Sequence, residues 1–342
     1  MKKNWIRFGI IFFLTFIFLY FFFRSVRWKE VLSYLTDINI LLFVLLIFLS
    51  PLHLLTRGFR WKYLLKHEKK DVKLYNAFAG NAVGFMVTFI FPGRLGELAK
   101  PLFLARKENM RKGYLLGTVV VERMFDMFTM CFLLGLFLLS KPLYSSFFKV
   151  QEGTYSKLTL WGIVGVVIAS VLLIVSLALY FFREKTLGLI SFFLKPFPKK
   201  ITQKVLELSD EFIEGVKFFH SVGNVLVYAL LSIVVWLGIS FYYWIFFFAY
   251  HISLPFFLLI PYIFLTMVGA SIPTPGMAGG YHYFSKLGMT SLYAIDPNRA
   301  VSMTIVFHAL QLMVTCLLGY AILWKEGLSL FQLKRLGENQ NP

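Results

Sequence analysis

The sequence predicts an all-α polytopic membrane protein with about six transmembrane helices and two broken re-entrant hairpins that open from opposite faces. Three observations carry that reading. Of 342 residues, 58% are hydrophobic and only 15% charged, and the apolar residues come in long runs. The cations fall in blocks beside those runs, as in cytoplasmic loops under the positive-inside rule. Two apolar stretches, one in each half, are interrupted at Pro92-Gly93 and at Pro273-Thr-Pro-Gly276. Paired interruptions of that kind point to a transporter site near the bilayer midplane.

The same features exclude other classes. A net charge of +18 would suit nucleic acid, but no soluble basic domain carries it, so no nucleic-acid partner is expected. Cys131 and Cys316 lie inside predicted spans without metal or redox spacing and read as small apolar core residues. No cofactor or metal is implied, and no phosphate-cradling loop supplies energy coupling.

Span one covers Trp5–Phe23, with Lys2, Lys3 and Arg7 holding its start in the cytoplasm. No small-residue cleavage site follows it, so it reads as a retained span and not a signal peptide. Span two covers Ile38–Thr56, with a kink expected at Pro51. The dense basic segment from Arg57 to Lys73 then reads as a cytoplasmic loop, a topology determinant in contact with anionic lipid.

The first hairpin occupies residues 74–106. Its apolar arm, from Leu74 to Phe91, runs about 18 residues and about 10 follow Lys100, against about 20 for a spanning helix. Neither arm crosses and returns. Span three covers Tyr114–Leu139, and a weakly charged exterior loop, 140–157, leads to span four at Leu158–Phe182. Residues 195–221 form a cytoplasmic amphipathic segment. Ile201, Val205, Leu208, Phe212, Val216 and Phe219 line one face, which is expected to lie on the membrane or on the protein's own cytoplasmic side. Span five covers Val222–Tyr250, the second hairpin residues 256–292, and span six Ala300–Trp324, ahead of a tail bearing Lys325, Lys334 and Arg335. Residues 1–342 thus form a single transmembrane domain with both termini cytoplasmic.

Six ionisable residues fall at membrane depth in the first half: Arg94, Glu97 and Lys100 on the hairpin, with Glu122, Arg123 and Asp126 on span three. A charge at that depth costs roughly 2.5–3.5 kcal/mol on insertion scales, so these side chains should face protein or a wet cavity. Three basic and three acidic groups make a neutral set that can compensate its own desolvation. Two readings stay open. The carboxylates and Arg123 read first as ion pairs fastening the hairpin to span three. Arg94 and Lys100 read first as ligands for a phosphate, beside a helix that restarts after Pro92-Gly93 with free N–H groups. In the second hairpin Thr274, Tyr281, His282 and Lys286 place polar groups beside the break, and all ten residues are candidate substrate-binding residues. His308 and Gln311, three apart on span six, could face the same cavity or be satisfied inside the bundle.

Three motifs carry a resemblance: Pro92-Gly-Arg-Leu-Gly-Glu-Leu-Ala-Lys-Pro101, Val121-Glu-Arg-Met-Phe-Asp126, and Ile272-Pro-Thr-Pro-Gly276 with its following glycines. In these the chain resembles the transmembrane region of lysylphosphatidylglycerol synthase and its stand-alone, flippase-like relatives, over nearly its whole length. It departs at Met277, where a second glycine is expected, and in Gly280-Tyr-His-Tyr283. The resemblance implies a bacterial or archaeal cytoplasmic-membrane protein that binds or moves an anionic phospholipid or polyprenyl-linked lipid. The synthase's soluble aminoacyl-transferase domain is absent from this sequence, so synthesis of lysyl-lipid is not expected. Three functions compete. A translocase should accelerate lipid flipping. An intramembrane enzyme, using Glu97 or Asp126 as base, should turn over a lipid-linked substrate. A scaffold should co-purify with a lipid-modifying enzyme without flipping. A second copy of the chain is the other protein partner weighed.

Overall fold

In a computed structural model, residues 2–24, 26–145, 152–216, 218 and 221–329 are described. Lys334 and Arg335, expected in the tail, Phe219, expected on the amphipathic face, and residues 146–151, expected in the exterior loop, lie outside them. Among the described residues every regular element is helical. Helix α1 (Lys2–Phe23) precedes a short helix α2 (Trp28–Leu35) that the sequence reading did not separate, followed by α3 (Ile40–Leu65). Then come α4 (Leu74–Ile90), α5 (Gly96–Glu108), α6 (Lys112–Leu139), the single turn α7 (Lys141–Tyr144) and α8 (Glu152–Phe181). The second half holds α9 (Arg183–Leu194), α10 (Lys199–Val216), α11 (Val222–Ala249), α12 (Ile260–Ser271), α13 (Gly280–Tyr293) and α14 (Pro297–Lys325).

Among the described residues four helices are long and apolar enough to cross a membrane: α3, α8, α11 and α14. Helix α6, at 28 residues, has the length but carries Glu122, Arg123 and Asp126, and α1 has 22 residues. At 1.5 Å per residue both exceed the ~30 Å hydrocarbon core. The chain is a multi-pass membrane protein. Its span ends are set by side chains that satisfy the first free N–H groups. Asn39 accepts from Leu41 and Leu42 at the start of α3, and Asp296 accepts from Asn298 and Arg299 at the start of α14.

One sequence boundary needs correction. Helix α3 runs nine residues beyond Thr56, through Arg57, Arg60 and Lys62, so the basic segment does not begin as a loop. Trp61, Leu64 and Leu65 continue the buried face of α3, and Pro51 does not end it. The amphipathic segment folds as α10 and packs on the N-terminal half of α6, where Glu211 accepts from the Gly113 N–H at 2.7 Å. It therefore lies on the protein's own surface.

Two helical hairpins, α4–α5 and α12–α13, enter the bundle from opposite ends. At one end Lys69 pairs with Glu108 (2.8 Å), Lys107 with Glu326, and the Tyr114 hydroxyl donates to the Leu64 carbonyl. These contacts gather the end of α3, the start of α6, the end of α14 and the open end of hairpin one. At the other end the Asn39 N–H donates to the Ala249 carbonyl (2.7 Å), Arg299 pairs with Asp37 (3.0 Å), and the Tyr293 hydroxyl donates to the Leu258 carbonyl. That end gathers the start of α3, the end of α11, the start of α14 and the open end of hairpin two.

Each hairpin closes through glycine. A Cβ on Gly96 would collide with the Gly84 carbonyl, and one on Gly269 would lie 2.5 Å from the Gly280 carbonyl. Only glycine lets the arms approach that closely. The two tips meet inside the bundle, where Gly276 lies against the Phe89 carbonyl.

Candidate functional site

The site grows from α3 and α6. Arg57 and Arg60, three apart on α3, share the face turned to α6. Arg60 donates to Asp126 (2.8 Å) and to Ser232 of α11 (3.1 Å) and lies 3.6 Å from Glu122, while Arg57 donates to the other Asp126 oxygen at 3.2 Å. Arg123 pairs with Asp126 at 3.1 Å, and the Trp236 indole donates to it at 3.0 Å. Asp126 is thus the hub: one buried carboxylate held by three arginines and an indole.

Hairpin one docks on this hub through its second arm. Lys100 pairs with Glu122, and its ammonium lies 4.0 Å from the centre of the Trp61 ring, which is attractive for a cation with little water around it. Lys100, Glu122 and Arg60 are all at most 6% exposed and do not reach the cavity described below. They work as a fastening between α3, α5 and α6, the structural role expected for Glu122. Lys100, expected first as a phosphate ligand, joins them in it.

At the tip, Gly93 and Arg94 both sit at positive φ (77° and 56°), a strained state for arginine. That turn swings the Arg94 side chain inward. It pairs with Glu97 at 3.1 Å and reaches to 3.5 Å from the Ser271 carbonyl, the last residue of α12. One side chain thus bridges the two hairpin tips.

Between these elements lies a cavity of about 480 Å³, a volume that suits a small ligand. Arg57, Arg94, Glu97, Arg123 and Asp126 form its charged wall. Trp161, Val164 and Ile168 of α8, with Ile263, Phe264 and Met267 of α12, form an apolar one. The expected charge balance is corrected here. With Arg57 and Arg60 included, five cations face three carboxylates in the whole network, and three arginines face two carboxylates at the cavity. The Nε–H groups of Arg57, Arg60, Arg94 and Arg123 have no hydrogen-bond partner and are shielded from water, a cost that the ion pairs of the network offset. Glu97 and Asp126, weighed as general bases, are each already held by arginine. Among the described residues no three His, Cys, Asp or Glu side chains converge as a metal would require.

Of the second-hairpin candidates, Tyr281 lines the cavity and the other three do not. Lys286 donates to the Phe22 carbonyl (2.7 Å), so it caps the end of α1. His282 packs between Phe22 and His308, with ring centroids 5.1 and 4.6 Å away. Thr274 is buried in the tip. His308 and Gln311 do face the cavity. Sequence reasoning missed Arg57 and Arg60 as site residues. Their three-residue spacing, with Trp61 and Leu64 continuing an apolar face, was the available signal.

The chain matches the family described as the lysylphosphatidylglycerol synthase TM region over residues 4–319. No curated protein and no solved structure matched it.

Proposed function

From the premise that the chain belongs to the lysylphosphatidylglycerol synthase transmembrane-region family, whose work concerns membrane lipids, we propose that it is a lipid translocase. It takes an anionic phospholipid or polyprenyl-linked lipid by the head group into the cavity where the hairpin tips meet. The observation that carries the proposal is the convergence of Arg57, Arg94 and Arg123, from three separate elements, on one cavity. A guanidinium can grip phosphate with two parallel donors. A cationic surplus away from bulk water favours an anion more strongly than it would at the surface.

The apolar wall gives the acyl chains a route. Helix α8 packs chiefly on α6 and leaves Val164, Ile168 and neighbouring side chains exposed, so chains can stay in the bilayer while the head group moves inside. In the membrane the two hairpins are re-entrant. The end bearing Lys62, Lys66, Lys69 and Arg111 faces the cytoplasm, and both termini lie there too. Exposing the cavity first through one hairpin end and then through the other completes the transfer.

Liposomes carrying the reconstituted protein and a fluorescent anionic lipid in one leaflet test this. Transbilayer movement is expected to exceed that of protein-free liposomes, and Arg94→Ala is expected to remove the excess while the thermal transition persists. Failure to accelerate any anionic phospholipid or polyprenyl phosphate would overturn the translocase reading.

A further inference from the structure

The short helix α9 carries an apolar surface that nothing among the described residues covers. It begins two residues after the end of α8, beyond a bend at Phe182 (φ −106°, ψ 33°), so it starts where a membrane-spanning helix leaves the bilayer. At 12 residues, about 18 Å, it is too short to cross the ~30 Å hydrocarbon core. Yet from Thr186 to Leu194 it is apolar on nearly every side. A helix of that kind needs cover all round.

One side has it. Thr186, Leu187, Ile190 and Leu194 are half-buried, the helix packs on α8 and α10, and the Thr202 hydroxyl donates to the Leu194 carbonyl (3.1 Å). The opposite side has none from the protein. Leu189, Phe192 and Phe193 share it at helical spacing and are 59%, 59% and 67% exposed. Phe197, just past the helix between Pro196 and Pro198, is 53% exposed.

Cations bracket this face. Lys185 precedes it and Lys195 and Lys199 follow it, all exposed. The Lys185 ammonium lies 5.6 Å from the centre of the Phe182 ring, and that of Lys195 lies 5.0 Å from the centre of the Phe192 ring. Between Arg183 and Lys199 the sequence holds a single acidic residue, Glu184. The nearby carboxylates of α10 are already taken: Arg183 pairs with Asp210 (2.5 Å) and Glu214 (3.5 Å), and Arg111 pairs with Glu214 as well. Among the described residues no carboxylate pairs with the three lysines. Apolar rings beside the end of a span, rimmed by unpaired cations, match one surface: a leaflet whose acyl chains take the rings and whose phosphates take the ammonium groups.

We propose that α9 and the Pro196–Pro198 turn form a membrane-surface anchor that lies in the head-group layer and gathers anionic phospholipid around Lys185, Lys195 and Lys199. The anchor stands apart from the cavity, which none of its residues lines. It also gives α9 the membrane contact that the pattern of residues 195–221 suggested, since α10 packs on α6 instead.

The test places the photoprobe p-benzoylphenylalanine at Phe193 of the full chain, in nanodiscs of phosphatidylcholine mixed with phosphatidylserine, and identifies the adducts by mass spectrometry. Lipid adducts are expected, with phosphatidylserine about fivefold above its share of the bilayer, the size of one lysine's attraction to an anionic surface. Exchanging Lys185→Gln, Lys195→Gln and Lys199→Gln together is expected to bring phosphatidylserine down to its share while lipid capture and the thermal transition persist. The same probe at Ser191, on the opposite face, is expected to capture the chain itself. Should the probe at Phe193 prevent folding, Leu189 offers the same face. Phosphatidylserine captured only at its share by the chain with its lysines intact overturns the anionic partner. Adducts with a second copy of the chain, or none with lipid, overturn the anchor.

Discussion

Hairpin one and hairpin two make the same turn with different chemistry. Pro92-Gly93-Arg94 and Pro275-Gly276-Met277 each place two consecutive residues at positive φ: 77° and 56° in the first, 59° and 57° in the second. Each returns through a glycine pressed on the opposite arm, Gly96 on Gly84 and Gly280 on Gly269. The surroundings diverge completely. Hairpin one is braced by ions, through Lys100, Glu122 and the Asp126 hub. Hairpin two is braced by neutral groups: the Tyr262 and Ser285 hydroxyls lie 2.8 Å apart, as do those of Ser285 and Thr304. Backbone shape is thus encoded by proline, glycine and close approach, while the charge of each tip is assigned independently. That separation gives one cavity both a cationic and a neutral wall.

The largest expected effect breaks the comparison at its braces. Lys100→Met leaves the Glu122 carboxylate buried with Arg60, at 3.6 Å, as its remaining ion-pair contact among the described residues, and should cost about 3–5 kcal/mol of stability. Adding Glu122→Gln should recover much of that loss, because the orphaned charge is gone. Ser285→Ala, the matching cut in hairpin two, removes a hydrogen bond between neutral groups and should cost only about 1 kcal/mol. Thermal unfolding in detergent separates the two. Equal losses would mean that the ionic brace carries no special weight.

A smaller effect tests the shared geometry. Gly96→Ala and Gly280→Ala each push a methyl group into the opposing carbonyl, and overpacking of this kind costs about 1–3 kcal/mol. Both variants should lower the unfolding temperature by similar amounts. A loss in one hairpin alone would show that the two close by different means.

Much of this was readable in the sequence, and the gaps have physical causes. Span lengths follow from apolar run lengths, and the hairpins from proline and glycine set between runs too short to cross. Arg57 and Arg60 were hidden because density of cations is the very signal of a cytoplasmic loop. Only their partners, 66 and 69 residues away in Asp126, reveal them as interior. Lys286 errs in the other direction, since a cation beside a helix break looks like a ligand until the carbonyls at the end of α1 are seen to take it. The likeness of the hairpins escaped because it resides in φ angles and close approach, which Arg94 and Met277 share while having nothing in common as side chains. The glycine that the family resemblance leads one to expect at position 277 makes sense in the same terms.

The smallest effect sharpens the comparison most. Holding a residue with a Cβ in the left-handed region costs about 1–2 kcal/mol, and glycine gives back roughly 0.5–1 of that through the freedom of the unfolded chain. Met277→Gly should therefore leave the unfolding temperature unchanged or slightly raised, with lipid movement intact. Arg94→Gly relieves the same strain but gives up the Glu97 pair and the reach to the Ser271 carbonyl, so its net effect on stability should be close to nil. The two variants would then look alike in a melting curve and opposite in a flipping assay, with movement kept by Met277→Gly and lost by Arg94→Gly. Such a split assigns the strain at residue 94 to the placement of a guanidinium and not to the making of the turn. If Arg94→Gly kept full transport, the guanidinium at the tip of hairpin one would have no part in moving the substrate.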